Sequence, residues 1–309
     1  MSKRLKVFII TCICLIIAGT CLAGLGLMLG ADGNINLKHM SWNLNDDKSS
    51  FNLSLRKPES QAGFSGKTET ETIKFNQPIL SIETKVGIGE VYLVEGDEFK
   101  IEYTYDKGFG KPNINFSDGS LSIVDKFGKG GVDFSVKKWS SFKGSEDLEY
   151  RIYYPKGTNL EFITMNNNLG DIDISNIKTK SLKIKLDVGD VNLEKVNIET
   201  AELDSSLGNI KTKDTETNGL TASTKMGDMH IEGILKGVSS LSAEMGDIKL
   251  ISTLGKDQYS LHFDMQLGDI KVDGEQRGGS YSASNSTGDS GENRIEARTS
   301  AGDIKAIFE

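Results

Sequence analysis

From Ile73 onward, apolar and polar residues alternate with a period of two, and no helical periodicity appears after residue 31. Ile79–Thr84, Phe99–Tyr105, Leu121–Val124 and Leu148–Pro155 read as strands, the last closed by its proline. From Leu160 the alternation locks onto a recurring Gly-Asp-hydrophobic triplet. Its first four glycine-to-glycine intervals are 19 residues each, and the next three are 22, 20 and 14. With the glycine as position 1, position 3 is Ile172, Val191, Ile210 and Met229, and position 5 is Ile174, Leu193, Thr212 and Ile231. Position 15 is Ile184, Leu203, Ala222 and Leu241, and position 19 is Val188, Leu207, Met226 and Met245. Positions 13, 15, 17 and 19 share one strand parity, which slips at the Gly-Asp. The pattern predicts an all-β chain, a β-solenoid or closely related stack of β-strand repeats of about 19 residues. Each repeat has strands at positions 2–6 and 12–19, with these four columns expected inside.

The triplet itself falls at Gly170-Asp171, Gly189-Asp190, Gly208-Asn209, Gly227-Asp228, Gly246-Asp247, Gly268-Asp269 and Gly302-Asp303, with a weak copy at Gly288-Asp289-Ser290. Val86–Leu93 is a degenerate copy in which Glu90 replaces Asp. Glycine permits the positive φ of a sharp corner, and Asp or Asn is expected to bond a backbone N–H two residues on. A Ca²⁺-binding acid ladder is the alternative. Asn209 interrupts its charge, and the glycine-rich calcium-binding nonapeptide is absent, so these residues are read as structural corners and no metal or other cofactor is expected.

The start of the chain differs. Residues 1–6 are a short basic tail with Lys3, Arg4 and Lys6, and Val7–Gly30 is uncharged and apolar, long enough to cross a bilayer. The charge asymmetry places the N-terminus in the cytoplasm and the body outside, on a single-pass cell-membrane anchor. A signal peptide cut after Ala23 is the rival, but the run is long for one and would leave an apolar end. A lipid-modified Cys21 is a weaker reading because Thr20 precedes it. Residues 31–72 read as a polar spacer, 73–158 as an atypical capping β region, and 159–309 as the regular Gly-Asp repeats.

Net charge is −8, and 33 basic against 44 acidic residues leave 31–309 near −11, which argues against nucleic-acid binding. All three cysteines (Cys12, Cys14, Cys21) lie in the apolar segment, so the body has no disulfide and no thiolate nucleophile. His230 and His262 sit in strands as outward polar positions, and no known catalytic motif is present. Acids such as Asp173, Glu194, Glu202, Asp264 and Asp273 are scattered as on a solvated face. The candidate partner-binding residues are Phe127, Phe134, Trp139 and Phe142, interleaved with lysines between residues 126 and 144; the competing reading is that they cover the open end of the core. Gly274–Gly291, rich in Gly and Ser, reads as an external loop.

The Gly-Asp-Ile-x-Ile repeats, the Tyr153-Tyr154-Pro155 strand end and the closing Thr299–Ile304 resemble a large bacterial domain-of-unknown-function family of β-strand-repeat proteins labelled as candidate adhesins. The likeness spans about residues 79–309 and rests on the order and spacing of short motifs. The resemblance implies a β-solenoid-like body at the cell surface behind a membrane segment, sometimes encoded with envelope-stress systems, and it carries no catalytic residues. The expected function is a non-enzymatic scaffold that binds cell-wall polymer or an envelope protein. The alternatives are an accessory of an envelope-stress response and a carbohydrate-active β-helix enzyme.

Overall fold

The computed structural model describes residues 65–125, 148–284 and 293–309, which belong to one compact unit. These residues are all-β, with one three-residue 3-10 turn at Lys256–Gln258. The first part forms β1 (Thr68–Lys74), β2 (Ser81–Ile88), β3 (Glu90–Gly96), β4 (Lys100–Asp106), β5 (Asn113–Ser117), β6 (Ser120–Val124) and β7 (Glu149–Pro155). The repeats form β8 (Asn159–Leu169), β9 (Ile172–Ser175), β10 (Lys178–Val188), β11 (Val191–Glu194), β12 (Asn197–Leu207), β13 (Ile210–Met226), β14 (Met229–Met245) and β15 (Ile248–Ser252). The last part forms β16 (Tyr259–Leu267), β17 (Ile270–Val272), β18 (Glu275–Arg277), β19 (Ser280–Ala283), β20 (Asn293–Ala301) and β21 (Ile304–Phe308).

The strands stack in two parallel columns. Long segments run in the order β6, β2, β8, β10, β12, the ends of β13 and β14, β20 and β16. Short segments run in the order β7, β3, β9, β11, the starts of β13 and β14, β15, β21 and β17. One long segment, a Gly-Asp corner and one short segment make a coil. The coils follow sequence order only between Asn159 and Ser252. At the far end, the β20–β21 coil lies between the β14–β15 and β16–β17 coils. At the near end, the β2–β3 coil is covered by β6 and β7, which come later in the chain. This accounts for the irregular late spacings. The Gly246 N–H donates to the Ala301 carbonyl and the Gly302 N–H to the Leu267 carbonyl, both at 2.9 Å.

Antiparallel strands close both ends: β5 on β6, β4 on β7 with β1 beyond it, β19 on β16 and β18 on β17. These outermost strands are short or, in β1, alternate Thr and Glu, so another parallel coil has no flat apolar edge to join. β1 begins inside the stretch expected to be spacer, and the Gly/Ser-rich Gly274–Gly291 contains β18 and β19. The expected anchor at 7–30 lies outside the described residues. Among the described residues no helix is long and apolar enough to cross a membrane.

The corner explains its own sequence. Gly208 has φ +146°, and a Cβ on it would lie 1.8 Å from the Gly189 carbonyl oxygen in the coil below. Both conformation and close approach therefore demand glycine. The following carboxylate acts differently from the expectation. It accepts a hydrogen bond from the equivalent backbone N–H in the next coil, not from one two residues along. Asp171 receives the Asp190 N–H at 2.8 Å, Asp190 receives Asn209 at 2.7 Å, and Asn209 Oδ1 receives Asp228 at 2.9 Å. The ladder continues through Asp228 to Asp247, Asp247 to Asp303 and Asp303 to Asp269. An amide oxygen serves as well as a carboxylate, which is why Asn209 fits. A second corner falls at position 7, where Asn176, Lys195 and Asp214 take φ of 56°, 55° and 50°, and Gly233 takes the fourth place.

Positions 3, 5, 13 and 15 are buried between the columns, from Ile172 and Val191 to Leu203 and Leu241. The second strand starts three positions earlier than expected, with Thr179 buried in β10. Position 17 turns polar in several coils, and these side chains bond the corner carbonyls. Thr224 Oγ1 donates to Gly208 O at 3.1 Å, Thr299 Oγ1 to Gly246 O at 3.0 Å, and Asn167 Nδ2 to Gly89 O at 2.9 Å. Position 19 departs from the expectation. Val188, Leu207, Met226 and Met245 are exposed, because the backbone turns at the next residue and leaves them on the rim of the corner.

Candidate functional site

The short-strand column is four residues wide, so only positions 4 and 6 of each coil face outward there. Parallel pairing stacks position 4 into a row: Arg151, Tyr92, Asp173, Asn192, Lys211 and His230, coil upon coil. Position 6 adds Ser175, Glu194, Lys213 and Glu232 beside it. All of these but Arg151 line an open groove of about 530 Å³ across the outer face of the coils. Its walls hold polar groups over the strand backbone at Ile174 and Leu193, whose side chains point into the core.

One end of the groove is acidic and aromatic. The Tyr92 hydroxyl donates to Glu90, and the Arg151 guanidinium sits over the Tyr92 ring at 4.1 Å. The Glu90 carboxylate, and burial after it, pushes the Tyr92 hydroxyl's pKa well up, so it stays a donor. Burial raises Asp173, and the nearby carboxylates of Asp171, Glu90 and Asp190 add to the effect, against a lowering bond from Asn192. The other end is basic. Burial lowers the pKa of His230, and the Lys249 charge lowers it further. Its Nε2 is 3.7 Å from Glu232, beyond hydrogen-bond distance. Burial alone would raise Asp190, but the Asn209 N–H and side-chain amide, with Lys211 at 3.2 Å, outweigh it and hold the carboxyl below its usual range.

These groups can donate, accept and present charge to a long ligand. No histidine in the groove is hydrogen-bonded to a carboxylate that would orient it as a base. Among the described residues no cluster of three metal-ligating side chains forms. The corner residues Gly170, Asp171, Gly189, Asp190, Gly208, Asn209, Gly227, Asp228, Gly246, Asp247, Gly268, Asp269, Gly302 and Asp303 line up along one edge of the short column. Phe127, Phe134, Trp139 and Phe142 lie outside the described residues, as does the weak triplet at Gly288. Asp173 and Glu194, read from sequence as scattered acids, meet in the groove, and His230 is half-buried there. Tyr92 and Asn192 carried no sequence signal, because position 4 changes through the coils that line the groove; Lys211 had one that went unread, since Lys recurs at position 4 as Lys249, Lys271 and Lys305.

Three similar solved structures are a candidate adhesin from Bacteroides fragilis NCTC 9343, a candidate lipid-binding protein from Parabacteroides distasonis ATCC 8503 and a candidate cell adhesion protein from Clostridium sporogenes ATCC 15579. The first is 15% identical and covers 80% of this chain and 99% of its own, with TM-score 0.41. The second is 11% identical, covering 80% and 98%, with TM-score 0.40. The third is 13% identical, covering 79% and 99%, with TM-score 0.37. No curated protein matches this chain. The Toastrack DUF4097 family profile matches residues 65–306, nearly all of the described β body, and the chain belongs to that family.

Proposed function

We propose that this is a non-enzymatic, membrane-anchored surface protein that holds an extended envelope polymer along the outer face of its short strands. In this reading the body is a rigid β-solenoid, the apolar Val7–Gly30 is the anchor, and the acidic body stands outside the membrane. The observation that carries the proposal is the groove. Its polar side chains recur at the strand spacing of about 4.8 Å over several coils, which suits a linear polymer with repeating hydroxyl and charged groups. The Tyr92 ring supplies apolar contact, and Asp173, Asn192, Lys211 and His230 supply donors and acceptors. Such a site binds through many weak contacts, each of low cost to lose.

The test is a binding titration of the detergent-purified full chain with soluble cell-wall polysaccharide fragments. Wild type binds, and the pair Lys211→Ala with His230→Ala weakens binding about tenfold, as expected for one or two lost polar contacts. Equal binding by both proteins, or turnover of the fragments, overturns the proposal.

A further inference from the structure

Eight large apolar side chains are exposed among the described residues, and five of them belong to one column. Val188, Leu207, Met226, Met245 and Leu267 all occupy position 19, with exposures between 37% and 52%. Strand pairing stacks them directly, with Ala301 between Met245 and Leu267, and half-buried Leu169 and Ile88 extending the column at the other end. Eight positions at about 4.8 Å make a ridge roughly 34 Å long. Scattered exposed apolar residues are ordinary, but a continuous line of them marks a contact surface. Position 19 precedes the glycine at every corner, and Ala301 shows that the corner geometry does not require a large side chain there.

We propose that this ridge is the contact surface for a second copy of the chain, packed antiparallel about a two-fold axis through Leu207. Charge selects this occupant and this register. Asp187 and Lys225, at position 18 beside the ridge, are exposed and have no partner among the described residues. A two-fold axis at Leu207 brings Asp187 opposite the partner's Lys225, twice, and Val188 against the partner's Met226. A parallel, in-register packing sets each charge against its own kind. An axis between Leu207 and Met226 sets Asp187 against the partner's Glu244. The ridge is one side chain wide, so it buries less than the roughly 800 Å² per partner of a stable complex, and the dimer is weak and reversible. It does not depend on what the groove holds, since the groove lies on the other side of the Gly-Asp corner.

Cysteine crosslinking in the native membrane tests this. The full chain with Cys12, Cys14 and Cys21 changed to Ser receives one cysteine at a time. Leu207→Cys gives a covalent dimer on mild oxidation, and Lys213→Cys, on the groove face, does not. In the Leu207→Cys background, Asp187→Lys or Lys225→Asp alone cuts the dimer yield about tenfold, and the two together restore it. Restoration excludes misfolding as the cause of the single losses. Equal crosslinking at both cysteines, or a double variant no better than the singles, overturns the proposal. So does a ridge protected by lipid with no covalent dimer.

Discussion

The middle coils and the end coils use the same corner and differ in how they find their neighbours. Between Asn159 and Ser252 each coil lies on the one before it. Beyond Ser252 the chain first builds the outer β16–β17 coil and then returns to fill the gap with β20–β21. Yet Asp303 enters the carboxylate ladder between Asp247 and Asp269 with the same bond as any middle coil. The corner is thus a local device indifferent to chain order, and antiparallel caps decide where the stack stops. The near end repeats the arrangement, with Gly89 stacked beside Gly170 and the Glu90 carboxylate turned to the Tyr92 hydroxyl instead of the ladder.

The comparison is broken most sharply at the glycines. Gly208→Val forces a Cβ into a carbonyl oxygen at a positive φ, and denaturation should show a loss of more than about 3 kcal/mol. Gly157→Ala, at φ +81° with nothing within 4 Å, should lose about 1 kcal/mol from its backbone conformation alone. Core and rim come next. Leu203→Ala should cost about 2–4 kcal/mol and the exposed Leu207→Ala under about 1 kcal/mol, although both follow the same strand parity. If the two losses are equal, the corner does not turn position 19 outward.

Smaller effects sharpen the ladder and the stacking order. Asp228→Asn keeps the acceptor for the Asp247 N–H and should be nearly neutral, as Asn209 is; Asp228→Ala should lose about 1 kcal/mol. Hydrogen exchange should find β20–β21 amides, late in sequence but interior in the stack, better protected than the edge strands β18 and β19. At Asp173 the sign is opposite to the usual carboxylate case. Its raised pKa means that the folded chain holds this proton better than the unfolded chain, so the ionised group opposes folding at neutral pH. Asp173→Asn should therefore raise the melting temperature at pH 7. The gain should fade as the pH drops through the folded value toward the ordinary 3.8.

Much of the scaffold is legible in the sequence, because glycine at a tight corner and Ile, Leu or Val at positions 3, 5, 13 and 15 answer to purely local demands. Position 19 misleads because its parity continues the core pattern while the backbone turns away at the next residue. The position 7 corner is hidden because Lys195, with φ 55°, is not a turn residue by type. The order of the end coils cannot be read at all. Parallel coils with the same backbone pattern satisfy one another equally, so the chain spacing alone does not say which coil lies on which. The groove is obscured for the opposite reason. Tyr92, Asp173, Asn192 and His230 share one repeat position but no chemistry, and a repeat alignment discards what does not repeat.

Hydroxyl-radical footprinting of the full chain with and without soluble cell-wall polysaccharide shows whether the polymer lies in the groove. Tyr92 and His230 are reactive groups within the groove, and Met226 and Met245 are reactive groups on the ridge outside it. The polymer should protect Tyr92 and His230 and leave both methionines unchanged. Unchanged reactivity at Tyr92 and His230 under saturating polymer, or protection of the methionines alone, would contradict that placement.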